Sequence, residues 1–305
     1  LLGVDVMFDE MTYREMEFAL REVMKADDGR VAELREMLLG SMAASSDPAN
    51  QIPKSPDLNS SQFRALQKVI SAHDVGFIHG PPGTGKTTTL VHVISYVLNA
   101  EKQVLVCAPS NAAVDLLADK LSDRGLSVLR IGHPARVTEQ SLSKTLDARI
   151  AEHPSYRELR ALRKKMEQMR STALKYRRNF GYEERQARKR LLQESKALKA
   201  DADMLEFYIV NDLLQTMQVI CCTLVGSSHP VLRGKKFATV FIDEAAQALE
   251  PACWIPLLRS NRVIFAGDHQ QLPPTIKSID AARMGLASTL FEKGVSRHPD
   301  MSVML

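Results

Sequence analysis

Short, wholly apolar runs alternate along this chain with stretches whose apolar residues recur at every third or fourth position. Val75–His79, Val104–Ala108, Val128–Ile131, Val219–Thr223, Ala238–Ile242 and Val263–Ala266 have the length and composition of strands covered on both faces. Leu90, Val91, Ile94, Val97 and Leu98 step at helical spacing, as do Val114, Leu117, Ala118 and Leu121, a series closed by Gly125. Such alternation predicts an α/β fold, a parallel sheet flanked by helices.

The pattern changes at two places. Ahead of the sheet, the apolar stretch Leu1–Phe8 precedes Tyr13, Met16, Leu20 and Val23, then Val31, Leu34 and Leu38, which predict two helices joined at Asp27-Asp28-Gly29. Ser41–Leu58, rich in Ser, Pro and Asn, reads as a linker. Within the sheet region, the alternation stops between Thr138 and Gln215. Leu159, Leu162, Met166, Met169, Ala173 and Tyr176 form one helical stripe, and Leu191, Ser195, Leu198, Ala202, Leu205 and Ile209 another, with Asn179-Phe180-Gly181 between them. Two long antiparallel helices satisfy both stripes, each roughly 30 Å or longer at about 1.5 Å per residue. The expected organisation is stalk helices and linker over 1–57, the α/β domain over 58–137 and 216–305, and a helical hairpin inserted over 138–215.

Candidate chemistry sits at the strand ends. Gly80-Pro81-Pro82-Gly83-Thr84-Gly85-Lys86-Thr87 fits the P-loop pattern, with the strand ahead and helix behind that the motif requires. Its glycines let several backbone N–H groups face one anion, and the helix N-terminus adds partial positive charge. Lys86 is placed for the β- and γ-phosphates and the Thr87 hydroxyl for Mg²⁺, so the sheet is expected to be a RecA-like P-loop NTPase sheet. Asp243 and Glu244 follow the apolar Val240-Phe241-Ile242. They read either as a Mg²⁺ ligand and a base for water, on the strand beside the cradle, or as acids capping the next helix. Gln271, in Gly267-Asp268-His269-Gln270-Gln271-Leu272-Pro273-Pro274, has an amide that donates to a γ-phosphate oxygen and accepts from water. His269 is expected to be a loop histidine. Gln62 offers the donor and acceptor that an adenine edge calls for, or is simply solvated. Pro109, Ser110 and Asn111 offer free N–H groups and small polar side chains to a nucleic-acid phosphate, or form an ordinary N-cap. Thr223 is equally ambiguous.

Charge changes the picture in one segment only. Between Ser155 and Ala200 stand 15 Lys and Arg against 5 Asp and Glu, a balance of +10 in a chain whose total is +4. These residues line a path for a polyanion or solvate a coiled coil; Tyr176, Phe180 and Tyr182 stack on bases or pack at the hairpin turn. Apolar content of 45% is ordinary, no run approaches the roughly eighteen apolar residues of a membrane span, and no signal peptide is visible. The expected setting is intracellular, cytoplasmic or nuclear. Cys107, Cys221, Cys222 and Cys253 lack zinc-site spacing and read as reduced core residues.

Gln62, Gly80–Thr88, Ala108-Pro109-Ser110-Asn111, Asp243-Glu244-Ala245-Ala246-Gln247 and Gly267–Pro274 together resemble the ordered motifs of superfamily 1 helicases of the Upf-like branch. The likeness is greatest to its group of immunoglobulin mu-binding and DNA polymerase alpha-associated helicases, which share a segment like Ile131-Gly132-His133-Pro134-Ala135-Arg136. The resemblance implies an ATP- and Mg²⁺-dependent motor, monomeric, moving 5′ to 3′ along single-stranded DNA or RNA. It implies nucleotide contacts by Gln62 and by Gly80, Pro81, Pro82, Gly83, Thr84, Gly85, Lys86, Thr87 and Thr88. Thr87 and Asp243 would hold the metal, Lys86, Glu244 and Gln271 would act in catalysis, and Pro109, Ser110, Asn111 and Thr223 would contact the strand. It also implies a second RecA-like domain of the parent chain that supplies arginines. A piece ending at Leu305 is therefore expected to bind ATP weakly, hydrolyse it poorly and not unwind. Two other functions fit the same residues: an ATP-gated nucleic-acid clamp, and a nucleotide switch whose hairpin binds a protein.

Overall fold

Seven strands, each hydrogen-bonded in parallel to its neighbours, form the central sheet of the computed structural model, which describes residues 10–47, 52, 56–175, 181–268 and 270–305. In chain order they are β1 (Val75–His79), β2 (Val104–Ala108), β3 (Val128–Ile131), β4 (Val219–Thr223), β5 (Phe237–Ile242), β6 (Ser260–Gly267) and β7 (Ser302–Met304), arranged β3-β4-β2-β5-β6-β1-β7. This is the RecA-like α/β arrangement. Strands buried on both faces need no polar alternation, which is why each reads as a continuous apolar run. β7 is the exception, a three-residue edge strand without any apolar run to announce it.

One face of the sheet is covered by α3 (Ser60–Ser71), α4 (Lys86–Val97) and α5 (Asn111–Asp123), whose apolar stripes share a single core with Ile78, Val106, Phe241, Ile264 and their neighbours. On the other face Phe77 stacks on Phe265 at 5.4 Å and meets Phe291 edge-on at 6.1 Å. Ahead of these lie α1 (Glu10–Lys25) and α2 (Gly29–Leu38). Buried Asp74, at the entrance to β1, accepts from Arg30 of α2 and from Ser45, so one carboxylate ties the first helices and the segment after them to the sheet. The apolar stretch Leu1–Phe8 lies outside the described residues.

The chain divides into two compact units, Leu1–Leu142 with Gln218–Leu305, and Ser143–Met217. In the second, α6 (Leu146–Glu152) precedes α7 (Tyr156–Leu174) and α8 (Tyr182–Thr216). The last two pack together: Leu159, Ala173, Ser195, Ala202 and Ile209 are buried between them while most of their Arg and Lys are exposed. Ser195 is tolerated in that seam because its hydroxyl donates to the Met166 carbonyl at 3.2 Å. With 35 residues, α8 is about 50 Å long. Tyr176, Asn179 and Phe180 at the turn lie outside the described residues.

Candidate functional site

The sheet topology collects the sequence motifs on one edge. β1 and β6 end level, His79 opposite Gly267, and β5 ends two residues earlier, Ile242 opposite Phe265. The polar residues that follow them surround a cleft of about 340 Å³ lined by Gly80–Gly83, Gly85–Thr88, Glu244, Gln271 and Lys120. Contrary to the expectation from sequence, the strand bearing Asp243 and Glu244 is not beside the P-loop strand, because β6 lies between β5 and β1. Gln271 thus enters the cleft from the middle strand.

The P-loop holds its turn by its own bonds. Thr84 donates to the Pro81 carbonyl through both N–H and hydroxyl, and Gly83 and Gly85 sit at φ +83° and +79°, where a Cβ is disfavoured. A Cβ on Gly85 would also stand 2.6 Å from Gln62 Nε2. That contact shows how Gln62 is used in this structure. Its Oε1 accepts from the Asn59 N–H at 3.1 Å, completing a capping box on α3, and its Nε2 donates to the Thr84 carbonyl at 3.1 Å. Gln62 therefore lies against the loop rather than in solvent.

Lys86 is buried, and its Nζ lies 2.9 Å from Glu244 Oε1. Glu244 has φ +51°, alone among the described non-glycine residues in that region, a conformation that costs about 1–2 kcal/mol and marks strain retained at a site. Its side chain makes no cap bond to the following turn, so the helix-cap reading of the acidic pair does not describe it. Asp243 is 3% exposed. Burial pushes its carboxyl up to about 6, against the opposing pull of Lys86; the charge of Glu244 raises it further, while the Glu244 N–H and Lys120 lower it. A buried carboxylate in the field of Lys86, behind a cleft lined by the P-loop, suits a small hard cation that keeps phosphate and water among its ligands.

Gln271 is held by a relay from the P-loop strand. His79 and Asp268, both buried, meet at 3.0 Å across β1 and β6, and Asp268 accepts from Gln271 Nε2 at 3.1 Å. Burial alone would raise Asp268, but the Gln270 N–H, His79 and Gln271 together hold it below the usual carboxylate range. The adjoining His269 lies outside the described residues.

A second polar group forms further along the same edge. β2 and β4 pair with Ala108 opposite Thr223, which brings Pro109, Ser110 and Asn111 beside Thr223. Ser110 is the N-cap of α5, accepting from the Ala113 N–H at 3.2 Å, and Thr223 Oγ1 accepts from Gly226 N–H at 3.0 Å. The Oδ1 of Asn111 accepts from Arg130 Nη2 at 2.8 Å, and Arg130, wholly buried, also bonds Asp115 at 2.7 Å. No motif marks Arg130, although a charged residue inside Val-Leu-Arg-Ile must find a partner. Lys120 was missed because a single lysine on a helix carries no signal.

On α8, Arg185, Arg188, Lys189, Leu192, Gln193 and Lys196 line an open groove of about 420 Å³. The four cysteines are free and buried. Among the described residues no helix is long and apolar enough to cross a membrane.

The sequence profile of the AAA domain family matches residues 57–279. The DNA-binding protein SMUBP-2 of Mesocricetus auratus is 35% identical over 298 residues, 95% of this chain and 29% of that protein. DNA polymerase alpha-associated DNA helicase A of Schizosaccharomyces pombe is 38% identical over 222 residues, 73% of this chain and 33% of that protein. The ATP-dependent helicase upf1 of the same organism is 34% identical over 308 residues, covering 95% and 31%. The chain thus spans about a third or less of the length of these relatives.

Proposed function

This chain belongs to the Upf-like branch of the superfamily 1 helicases, and on that premise we propose that it is the ATP-binding motor domain of a nucleic-acid-driven ATPase that moves 5′ to 3′ along single-stranded DNA or RNA. The observation that carries the reading is the convergence of Lys86, Thr87, Glu244 and Gln271, from the ends of three neighbouring strands, on one cleft. The N–H groups of Gly83–Thr87 face the β- and γ-phosphates, and Lys86 exchanges Glu244 for them. Thr87 and Asp243 would hold Mg²⁺, which would neutralise charge on the phosphate oxygens. Glu244, released from Lys86, accepts the proton of the attacking water, while Gln271 orients that water from its tether on Asp268. Gln62 reads the adenine edge from beside the loop. Pro109, Ser110, Asn111 and Thr223 hold the strand.

The working enzyme in this reading is an intracellular monomer in which a second RecA-like domain closes the cleft and supplies cationic side chains. Turnover of ATP by the full-length protein, with and without single-stranded DNA and RNA, tests it beside Glu244→Gln. Strong stimulation by one polymer, lost in the variant, is expected. Tight nucleotide binding with no stimulation by either polymer would instead favour a nucleotide switch.

A further inference from the structure

Lys120 is the one residue lining the nucleotide cleft that no motif accounts for. It stands in the last turn of α5, nine residues after Asn111 begins that helix, roughly 14 Å further along it. α4 and α5 follow parallel strands and pack on the same face of the sheet, so they run side by side in one direction. The Arg124 guanidinium at the end of α5 meets the imidazole of His92 in α4. One turn back from that contact on each helix stand Lys120 and Thr88, and both line the cleft. Lys120 is half-buried there, and no carboxylate among the described residues lies within ion-pair distance of it.

A lysine in a last helical turn is favoured by the macrodipole, which accounts for an exposed one. It does not account for an ammonium turned into a cleft whose other cation, Lys86, is already paired with Glu244. Two lysines against Glu244, with Asp243 buried behind, leave room for the charge of a polyanion. The direction of approach identifies the end of the ligand. Gln62 reaches the P-loop from α3, which packs beside β1 and β7. α5 comes from the opposite side, after β2, the strand next to the one bearing Asp243 and Glu244.

We propose that Lys120 is a second phosphate-binding cation of the site, meeting the γ-phosphate end of the triphosphate, and that α5 links this contact to the nucleic-acid edge through Asn111 at its other end. The inference rests on the cleft being a nucleotide site. Because the two groups share one helix, a shift of α5 on strand binding changes the position of a positive charge beside the γ-phosphate.

The test uses full-length protein as wild type, Lys120→Met, Lys120→Arg and Lys86→Ala, titrated with mant-ATP and mant-ADP in Mg²⁺, with turnover measured with and without oligo-dT. Lysine and methionine have similar helix propensities, so the substitution leaves the fold intact. Lys120→Met is expected to weaken ATP about tenfold, the scale of one charge-assisted hydrogen bond, to change ADP affinity by less than about threefold, and to lower the stimulation by oligo-dT; Lys120→Arg restores most of each. Unchanged ATP affinity and stimulation in Lys120→Met would overturn the proposal, as would equal losses for ATP and ADP without rescue by arginine. A wild type that binds neither nucleotide, or a Lys86→Ala variant that binds both normally, would overturn the nucleotide-site reading itself and this inference with it.

Discussion

Lys86 Nζ and Glu244 Oε1 stand 2.9 Å apart, so the P-loop cation and the candidate base neutralise each other. In the proposed reaction, phosphate binding breaks this pair and so frees the carboxylate for water. Glu244→Gln removes the competing charge without changing shape. The variant is expected to bind Mg-ATP at least as tightly as wild type and to hydrolyse it about 10² to 10⁴ times more slowly, the range for a positioned general base. Equilibrium binding beside single-turnover hydrolysis measures both effects. A variant that also loses binding would show that Glu244 organises the cradle rather than the reaction.

Asn111 is fixed from behind. Since Arg130 can only donate, its bond at 2.8 Å requires the amide oxygen to point inward, and the NH₂ group is left as the outward-facing donor. A donor suits a phosphate or another acceptor on a nucleic acid. Asn111→Asp keeps the shape and strengthens the bond to Arg130 but presents an acceptor with negative charge. Affinity for single-stranded oligonucleotide is expected to fall about tenfold or more, the cost of losing one such contact and adding repulsion, with an unfolding midpoint at or above that of wild type. Unchanged affinity, read by anisotropy at fixed salt, would leave Asn111 a structural residue.

Asp243 is buried behind the cleft, and its charge there costs stability. With Lys86, Glu244 and Lys120 around it and its carboxyl raised to about 6, the folded protein holds this proton more tightly than the unfolded chain. Its contribution to stability is therefore fully present below about pH 4 and is lost as pH rises through about 6. Asp243→Asn retains the oxygen that accepts from the Glu244 N–H. It is expected to stabilise the metal-free protein by roughly 1–3 kcal/mol at pH 7.5 and to flatten this part of the pH profile, while abolishing Mg²⁺-dependent turnover. Urea midpoints at pH 5 and 7.5 check the sign.

Most strands were legible because burial on both faces leaves no polar interruption to disguise them. Where reading failed, the missing information was spatial. That β6 separates the Asp243 strand from the P-loop strand is a fact of strand order, which no motif spacing encodes. β7 is too short and too near the edge to show a pattern. Gln62 carried two messages: Asn59-x-x-Gln62 is also a capping-box signature, and the structure uses it as one. Of the two acidic residues after β5, it is the positive φ at Glu244 and its pairing with Lys86 that separate a helix cap from a site, and neither is visible in sequence.

The hairpin's charge poses a question that salt answers. Arg185, Arg188 and Lys189 line one groove on α8, and a basic coil face is also what solvation alone would produce. The two cases differ in counterion release. Each phosphate neutralised on a single strand contributes about 0.7 to the slope of log K against log salt. Replacing these three residues by Gln is therefore expected to lower the magnitude of that slope by roughly 2, and to weaken binding more at low salt than at high. Gln keeps helix propensity and bulk close to those of Arg and Lys, so the coil itself is preserved. A slope unchanged within error would mean that these side chains solvate the arm and that the strand is held elsewhere, at the β2 and β4 edge.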